Sequence, residues 1–288
     1  MKKNQFLENF IHGIFLLLGL ITVGCVLLIT MYLVISGIPA ICKIGPINFL
    51  FGTEWASTAK EAKYGILPFI LTSIFGTAGA IVIGVPVGFM TAVYLSKLAC
   101  PKVKSAMQSV VSLLAGIPSV VFGLVGMLVL VPGIRKVFQV PDGAGLLAAI
   151  IVLAIMILPS IIKMSVTALD AVPKEYEDAS LALGATPVET YFRVSVPAAK
   201  SGIAAAVVLG VGRAIGEAMA VMMVAGNAPN MPNSLFQSVR FLTTAVAGEM
   251  SYSSGLQQQA LFSIALVLFL FIMFINAALN FFLKREKE

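Results

Sequence analysis

The chain has 288 residues, 59% of them apolar and 11% charged, and a mean hydropathy of +1.01. A water-soluble domain carries roughly 25% charged residues, so the polar surface is too small to cover a globule in water and the chain reads as an integral membrane protein. The formal charge of +6 does not mark a nucleic-acid binder, because the 19 Lys and Arg residues are scattered at the ends of apolar runs rather than gathered on one face.

Lys2 and Lys3 open a short tail, residues 1–13, before an apolar stretch at 14–35. That stretch is longer than the roughly 7–15 residues of a signal-peptide core and no small-residue cleavage site follows, so it reads as a retained first span. A loop at 36–65 leads to runs at Ile66–Leu95, Met107–Pro132, Gly145–Leu169, Gly202–Gly226 and Ala260–Leu283, each long enough to cross the ~30 Å hydrocarbon core as a helix. The expected fold is therefore all-α, with six transmembrane helices and a short tail at 284–288. Pro68, Pro86, Pro118 and Pro159 fall within these runs. A proline kinks a helix and is tolerated in a membrane where neighbouring helices or a wet cavity satisfy the freed carbonyl. That argues for a bundle around an internal path.

Orientation follows from the basic residues. With both termini in the cytoplasm, Lys2, Lys3, Lys97, Lys102, Lys104, Lys174, Arg193, Lys200, Lys284, Arg285 and Lys287 face inward and outnumber Lys43, Lys60, Lys63, Arg135, Lys136 and Arg240 outside. In the second long outer loop, 227–259, Leu235, Val239, Leu242 and Val246 recur at helical spacing, which predicts a short helix over Ser234–Met250 at the membrane surface or against the bundle.

Chemistry-bearing motifs are sparse. Cys25, Cys42 and Cys100 lie far apart and His12 is the single histidine, so neither a disulfide framework nor a metal site is suggested, and no cofactor is expected. The chain has no G-x-x-x-x-G-K-[ST], H-E-x-x-H or G-x-S-x-G pattern. It is read as a non-enzyme that cannot itself split ATP.

The long inner loop carries more signal. Pro173 starts a short helix whose first turns hold Glu175, Glu177 and Asp178, favourable for the helix dipole. Gly184 ends it and Pro187 starts a second helix running towards Pro197, giving a helix–turn–helix knuckle. The order Asp178-Ala179-Ser180, three residues, Gly184, nine residues, Val194, one residue, Val196-Pro197 resembles the EAA loop of bacterial ABC importer permeases. The pattern there is Glu-Ala-Ala, three residues, Gly, nine residues, Ile, one residue, Leu-Pro, so Asp178, Ser180, Val194 and Val196 depart from it conservatively. Phe51–Trp55 (FGTEW), Leu113–Gly126 (LLAGIPSVVFGLVG) and Leu209–Asn227 (LGVGRAIGEAMAVMMVAGN) extend the likeness to the PstC-type permeases of phosphate importers. The resemblance implies a type I ABC importer permease fold over 66–283 and a coupling loop at about 172–197. In it Glu177, Asp178, Ala179, Ser180, Gly184 and Pro197 would dock an ATPase subunit. It also implies a second, PstA-like permease, a dimer of PstB-like ATPase subunits, a PstS-like binding protein outside, and a place in the bacterial inner membrane among lipids. The first span would wrap the partner permease.

Arg213 and Glu217 are four residues apart within an apolar run, which predicts a shared helix face. Ionisable groups at this depth mark a pathway by default. An arginine fork suits phosphate oxygens, and Glu217 is expected to hold Arg213 and weaken its grip. Ser160, Lys163, Thr167 and Asp170 share one face of the fourth span and are candidate lining groups, although Lys163 also suits snorkelling to the interface. Thr72, Ser73, Thr77 and Ser119 are weaker candidates. The alternatives are another ABC permease, for molybdate, sulfate or an amino acid, or the PstA-type partner. An intramembrane enzyme or a passive channel belongs to a different class, disfavoured by the missing motifs and by the knuckle.

Overall fold

The computed structural model describes residues 2–285. The expected tail at 284–288 lies outside the described residues from 286 onward, Lys287 included. Helix α1 (Lys2–Ile44) and the short α2 (Pro46–Phe51) lead through a two-stranded antiparallel hairpin, β1 (Trp55–Ala56) and β2 (Lys63–Tyr64), to α3 (Leu67–Val93). The end of α3 widens into a π-helical turn at Tyr94–Leu98. Next come α4 (Pro101–Gly116), α5 (Ser119–Val125), a π-turn at Gly126–Leu130, α6 (Val131–Phe138) and α7 (Leu146–Asp170). The inner knuckle comprises α8 (Lys174–Ala182), α9 (Pro187–Thr190), a π-turn at Tyr191–Ser195 and α10 (Val196–Ala198). The chain finishes with α11 (Lys200–Gly216), α12 (Met219–Val224), α13 (Leu242–Glu249) and α14 (Gly255–Arg285).

Five segments are long and apolar enough to cross a membrane: Phe10–Ile44, Leu67–Leu98, Ser119–Phe138, Leu146–Asp170 and Gly255–Ala278. The pair Pro187–Ala198 and Lys200–Gly216, bent by 71°, makes the sixth. The all-α, six-span expectation is met, with four corrections. The first helix runs through Pro39 to Ile44, so much of the expected loop at 36–65 is helical. The third crossing starts at Ser119 rather than Met107, because Ile117 precedes Pro118 and is held extended (φ −70°, ψ 128°), as the residue before a proline must be. The fifth span stops at Gly216 instead of Gly226. In the outer loop only Leu242–Glu249 of the expected Ser234–Met250 is α-helical, and its first four residues are buried against the bundle, the second of the two expected placements. Pro68 sits in the first turn of α3, where its missing N–H costs nothing, whereas Pro86 and Pro159 lie inside helices that continue past them.

Helix α7 is the centre of the molecule: two-thirds of its apolar window is buried, against none for α1. It packs along α3 because small residues let the backbones approach. A Cβ on Gly84 would lie 2.6 Å from Ile157 Cδ1, and one on Gly88 2.9 Å from Ile161 Cγ2. Its N-terminus is capped by the end of α12 and the outer loop: Gly145, Leu146 and Leu147 amides donate to the carbonyls of Val224 (2.9 Å), Gln237 (3.2 Å) and Leu235 (2.7 Å). Leu235 and Gln237 are thus loop residues serving another helix's unpaired amides, while Val239 pairs with the backbone of Ala225 and Asn227. Helix α1 touches the rest through its outer part, where the Ser263 hydroxyl of α14 donates to the Gly37 carbonyl (2.5 Å) and Tyr32 meets Phe262 edge-on.

Candidate functional site

The fifth span breaks where its two charges sit. Arg213 occupies the last turn of α11, a position favourable for a cation at a helix C-terminus. Gly216 ends the helix, and Glu217 is extended (φ −73°, ψ 127°). The carboxylate of Glu217 then accepts from the Ala220 amide (3.0 Å) at the start of α12, while its carbonyl accepts from Thr243 Oγ1 (2.8 Å). Acidic side chains compete for backbone amides in this way, which helps to end one helix and begin the next.

The continuous helix that a common face of Arg213 and Glu217 requires is therefore not present, since α11 ends at Gly216 and Glu217 is extended. Among the described residues no ion pair joins them. Arg213 is half-buried, and its Nη1 donates to Ser160 Oγ on α7 at 3.4 Å. Nearby, Ala205, Leu209 and Gly216 are exposed, with Gly212 between them. A Cβ on Gly212 or Gly216 would meet nothing within 4 Å. One stripe of α11, beside Arg213, is thus left uncovered by the described residues.

The other proposed lining groups divide. Lys163 is exposed on α7, one turn beyond Ser160. The Thr167 hydroxyl is turned onto its own helix, donating to the Lys163 carbonyl (2.9 Å). Asp170 is engaged by Lys104 Nζ (2.9 Å) and Ser96 Oγ (2.6 Å). Thr72, Ser73 and Thr77 are core residues, and Ser73 Oγ accepts from the Leu242 amide (3.0 Å). Ser119 is half-buried in the first turn of α5.

At the end of the bundle expected to face inward, the helix–turn–helix knuckle is present. Gly184 has φ +86°, a left-handed conformation that a side chain would strain, and open space around it. Thr186 caps α9 through a reciprocal box with Glu189. The Thr186 amide and hydroxyl both donate to Glu189 Oε2 (3.0 Å each). Asp178, Ala179, Gly184 and Pro197 are exposed, as are Tyr176, Leu181 and Leu183, the last 90% accessible. Ser180 is half-buried, its hydroxyl 2.9 Å from that of Thr190. Glu177 differs from its neighbours: it turns inward, accepting from Lys97 Nζ (2.5 Å) and Ser195 Oγ (2.8 Å).

Sequence reasoning missed Lys97 and Ser195, and it missed an outer cluster centred on Glu249. That carboxylate accepts from Arg240, Trp55 Nε1 (3.3 Å) and Gln257 Nε2 (3.1 Å). The available signal was scarcity: with only 13 acidic residues, each invites a search for its partner.

Comparison with known proteins agrees with this architecture. The sequence profile of the family described as "Binding-protein-dependent transport system inner membrane component" matches residues 84–287. The chain is 40% identical over 266 residues to the "Probable ABC transporter permease protein YqgH" of Bacillus subtilis, covering 90% of this chain and 86% of that one. It is 35% identical to the "Phosphate transport system permease protein PstC" of Haemophilus influenzae (89% and 86% covered) and 34% identical to that of Pasteurella multocida (77% and 75%). In fold it is similar to the inward-facing MetNI methionine ABC transporter (TM-score 0.57, 20% identity, 77% of this chain and 94% of that one). It is also similar to an amino acid ABC transporter solved with histidines (TM-score 0.54, 21% identity, 76% and 92%). With its profile match, its relatives and its type I importer fold in agreement, the chain belongs to the binding-protein-dependent transport system inner membrane component family, the permeases of ABC transporters.

Proposed function

We propose that this chain is the permease subunit of an ATP-driven importer of inorganic phosphate, forming half of the path and docking the ATPase through its inner knuckle. The substrate reading is supported by the PstC relatives, named for phosphate transport, at 34–35% identity over most of the chain. The observation that carries it is Arg213: a cation in the last turn of a broken span, with no carboxylate partner among the described residues and an uncovered stripe beside it. An unpaired cation at membrane depth costs about 2.5–3.5 kcal/mol. A wet path visited by an anion offsets that cost.

In this reading phosphate oxygens meet the Arg213 fork, and Ser160 orients the guanidinium. Glu217 acts through the backbone, keeping the break open by capping α12, rather than by pairing with Arg213. Lys163 offers a second, more exposed cation on the inner side. Partners are a second permease facing the uncovered stripe, a pair of ATPase subunits under Asp178–Gly184, and an extracytoplasmic binding protein. Both termini lie in the cytoplasm, as the basic residues favour. ATP is hydrolysed on the ATPase chains, and their closure opens the bundle outward.

The test is uptake by the reconstituted complex. Phosphate transport is expected to persist in excess sulfate or molybdate, and Arg213→Gln is expected to reduce it by about tenfold or more, on the scale of a lost charge-assisted bond. Wild-type uptake by properly inserted Arg213→Gln removes Arg213 from the path. Import of sulfate, molybdate or an amino acid in place of phosphate overturns the substrate.

A further inference from the structure

Two of the π-helical turns described above converge on one carboxylate. Lys97 lies in the turn that ends α3, and Ser195 in the turn that opens the fifth span, at Tyr191–Ser195. Such a turn adds a residue to the helix and re-aims the side chains beyond it, and it recurs at functional sites. Both groups reach the same oxygen, Glu177 Oε1, on α8. The ion pair is well shielded, with 10% of the Lys97 side chain and 18% of Glu177 exposed, and Ser195 is fully buried. Helix α8 has no buried residue of its own. Its grip on the bundle is therefore mainly this polar point, helped by the Ser180–Thr190 contact to α9.

The geometry points to Lys97, Glu177 and Ser195 as the joint that makes the knuckle move as one body with the inner ends of α3 and the fifth span. The inference rests on the reading of the knuckle as the ATPase dock and adds the positioning residues that pass its motion on. The path is short: Ser195 precedes α10 and α11, and α11 ends at Arg213 and the break. Lys97 terminates the helix whose glycines are pressed against α7. An apolar contact slides, whereas a shielded ion pair with a second hydrogen bond holds one register.

The test uses the complete complex in proteoliposomes, with ATP hydrolysed and phosphate taken up measured on the same vesicles. Glu177→Gln is expected to assemble and hydrolyse ATP while moving about tenfold less phosphate per ATP, within the usual range of coupling between sites. The exchange Lys97→Glu with Glu177→Lys is expected to recover most of that ratio, and Lys97→Arg to stay near wild type. An unchanged ratio in Glu177→Gln overturns the joint. So does a parallel loss of assembly, hydrolysis and uptake that the exchange does not repair, since the pair then only stabilises the fold. A wild-type chain that retains no ATPase subunit overturns the dock and the joint together, which separates the two failures.

Discussion

The outer and inner ends of the bundle both use a carboxylate with several donors, yet they differ in what surrounds it. Outside, Glu249 gathers Arg240, Trp55 and Gln257, while Arg240 also donates to the Asn227 carbonyl (2.8 Å) and lies 5.8 Å from the Phe69 ring. Trp55 packs on Tyr64 and Phe69. That cluster ties the hairpin, α3, the capping loop of α7 and the start of α14 into one block. Inside, Glu177 fastens a knuckle whose other side carries exposed Tyr176, Leu181 and Leu183. The outer charges are absorbed by an internal brace, whereas the inner charges anchor an element with a bare apolar face. A brace suits a fixed end, and an anchored but uncovered helix suits the docking proposed above.

The largest effect on stability is expected at Glu249. Its ion pair with Arg240 is less than a quarter exposed on each side, so Glu249→Gln leaves a shielded cation poorly paired and is expected to cost about 2–3 kcal/mol. Thermal unfolding in detergent reads this as a large drop in midpoint. A midpoint equal to wild type contradicts the brace.

A smaller effect is expected at Gly184. Alanine there meets open space but must adopt φ near +86°, at about 1 kcal/mol of backbone strain. Since the strain falls between α8 and α9, it is expected to weaken ATPase retention in a pull-down by about fivefold, with the midpoint little changed. Full retention argues that the turn's conformation is unimportant to docking.

The smallest effect is expected at the capping box of α9. Thr186 and Glu189 satisfy each other's backbone amides, so Glu189→Ala is expected to quicken amide exchange over 188–190 by about threefold, on the scale of a weakened cap. Exchange at the wild-type rate leaves the capping box without that role.

The pattern of apolar runs and prolines was enough to give an all-α membrane bundle, and the placement of Gly184 between acidic and proline-started segments gave the knuckle. Those features are local: a run of about 20 apolar residues has few alternatives in lipid, and a glycine followed by a capping threonine and a proline ends one helix and begins another. The helix face shared by Arg213 and Glu217 failed because spacing assumes a continuous helix. Gly216 and the Glu217 carboxylate broke it by supplying another partner for the amide of Ala220. Leu235 and Val239 likewise carried helical spacing yet became loop, since the Leu235 carbonyl takes the Leu147 amide at the start of α7 and Val239 exchanges backbone hydrogen bonds with Ala225 and Asn227.

The sequence alone thus determined the solvent, the helices and the hinge at Gly184, each dictated by residues adjacent in the chain. Only the tertiary structure decided where each buried charge finds its partner. Lys97 and Glu177 are 80 positions apart, and Trp55 and Glu249 are 194. Such pairings depend on which helix ends the packing of α3 against α7 brings together, and hydrogen bonds of that reach leave no periodicity to read.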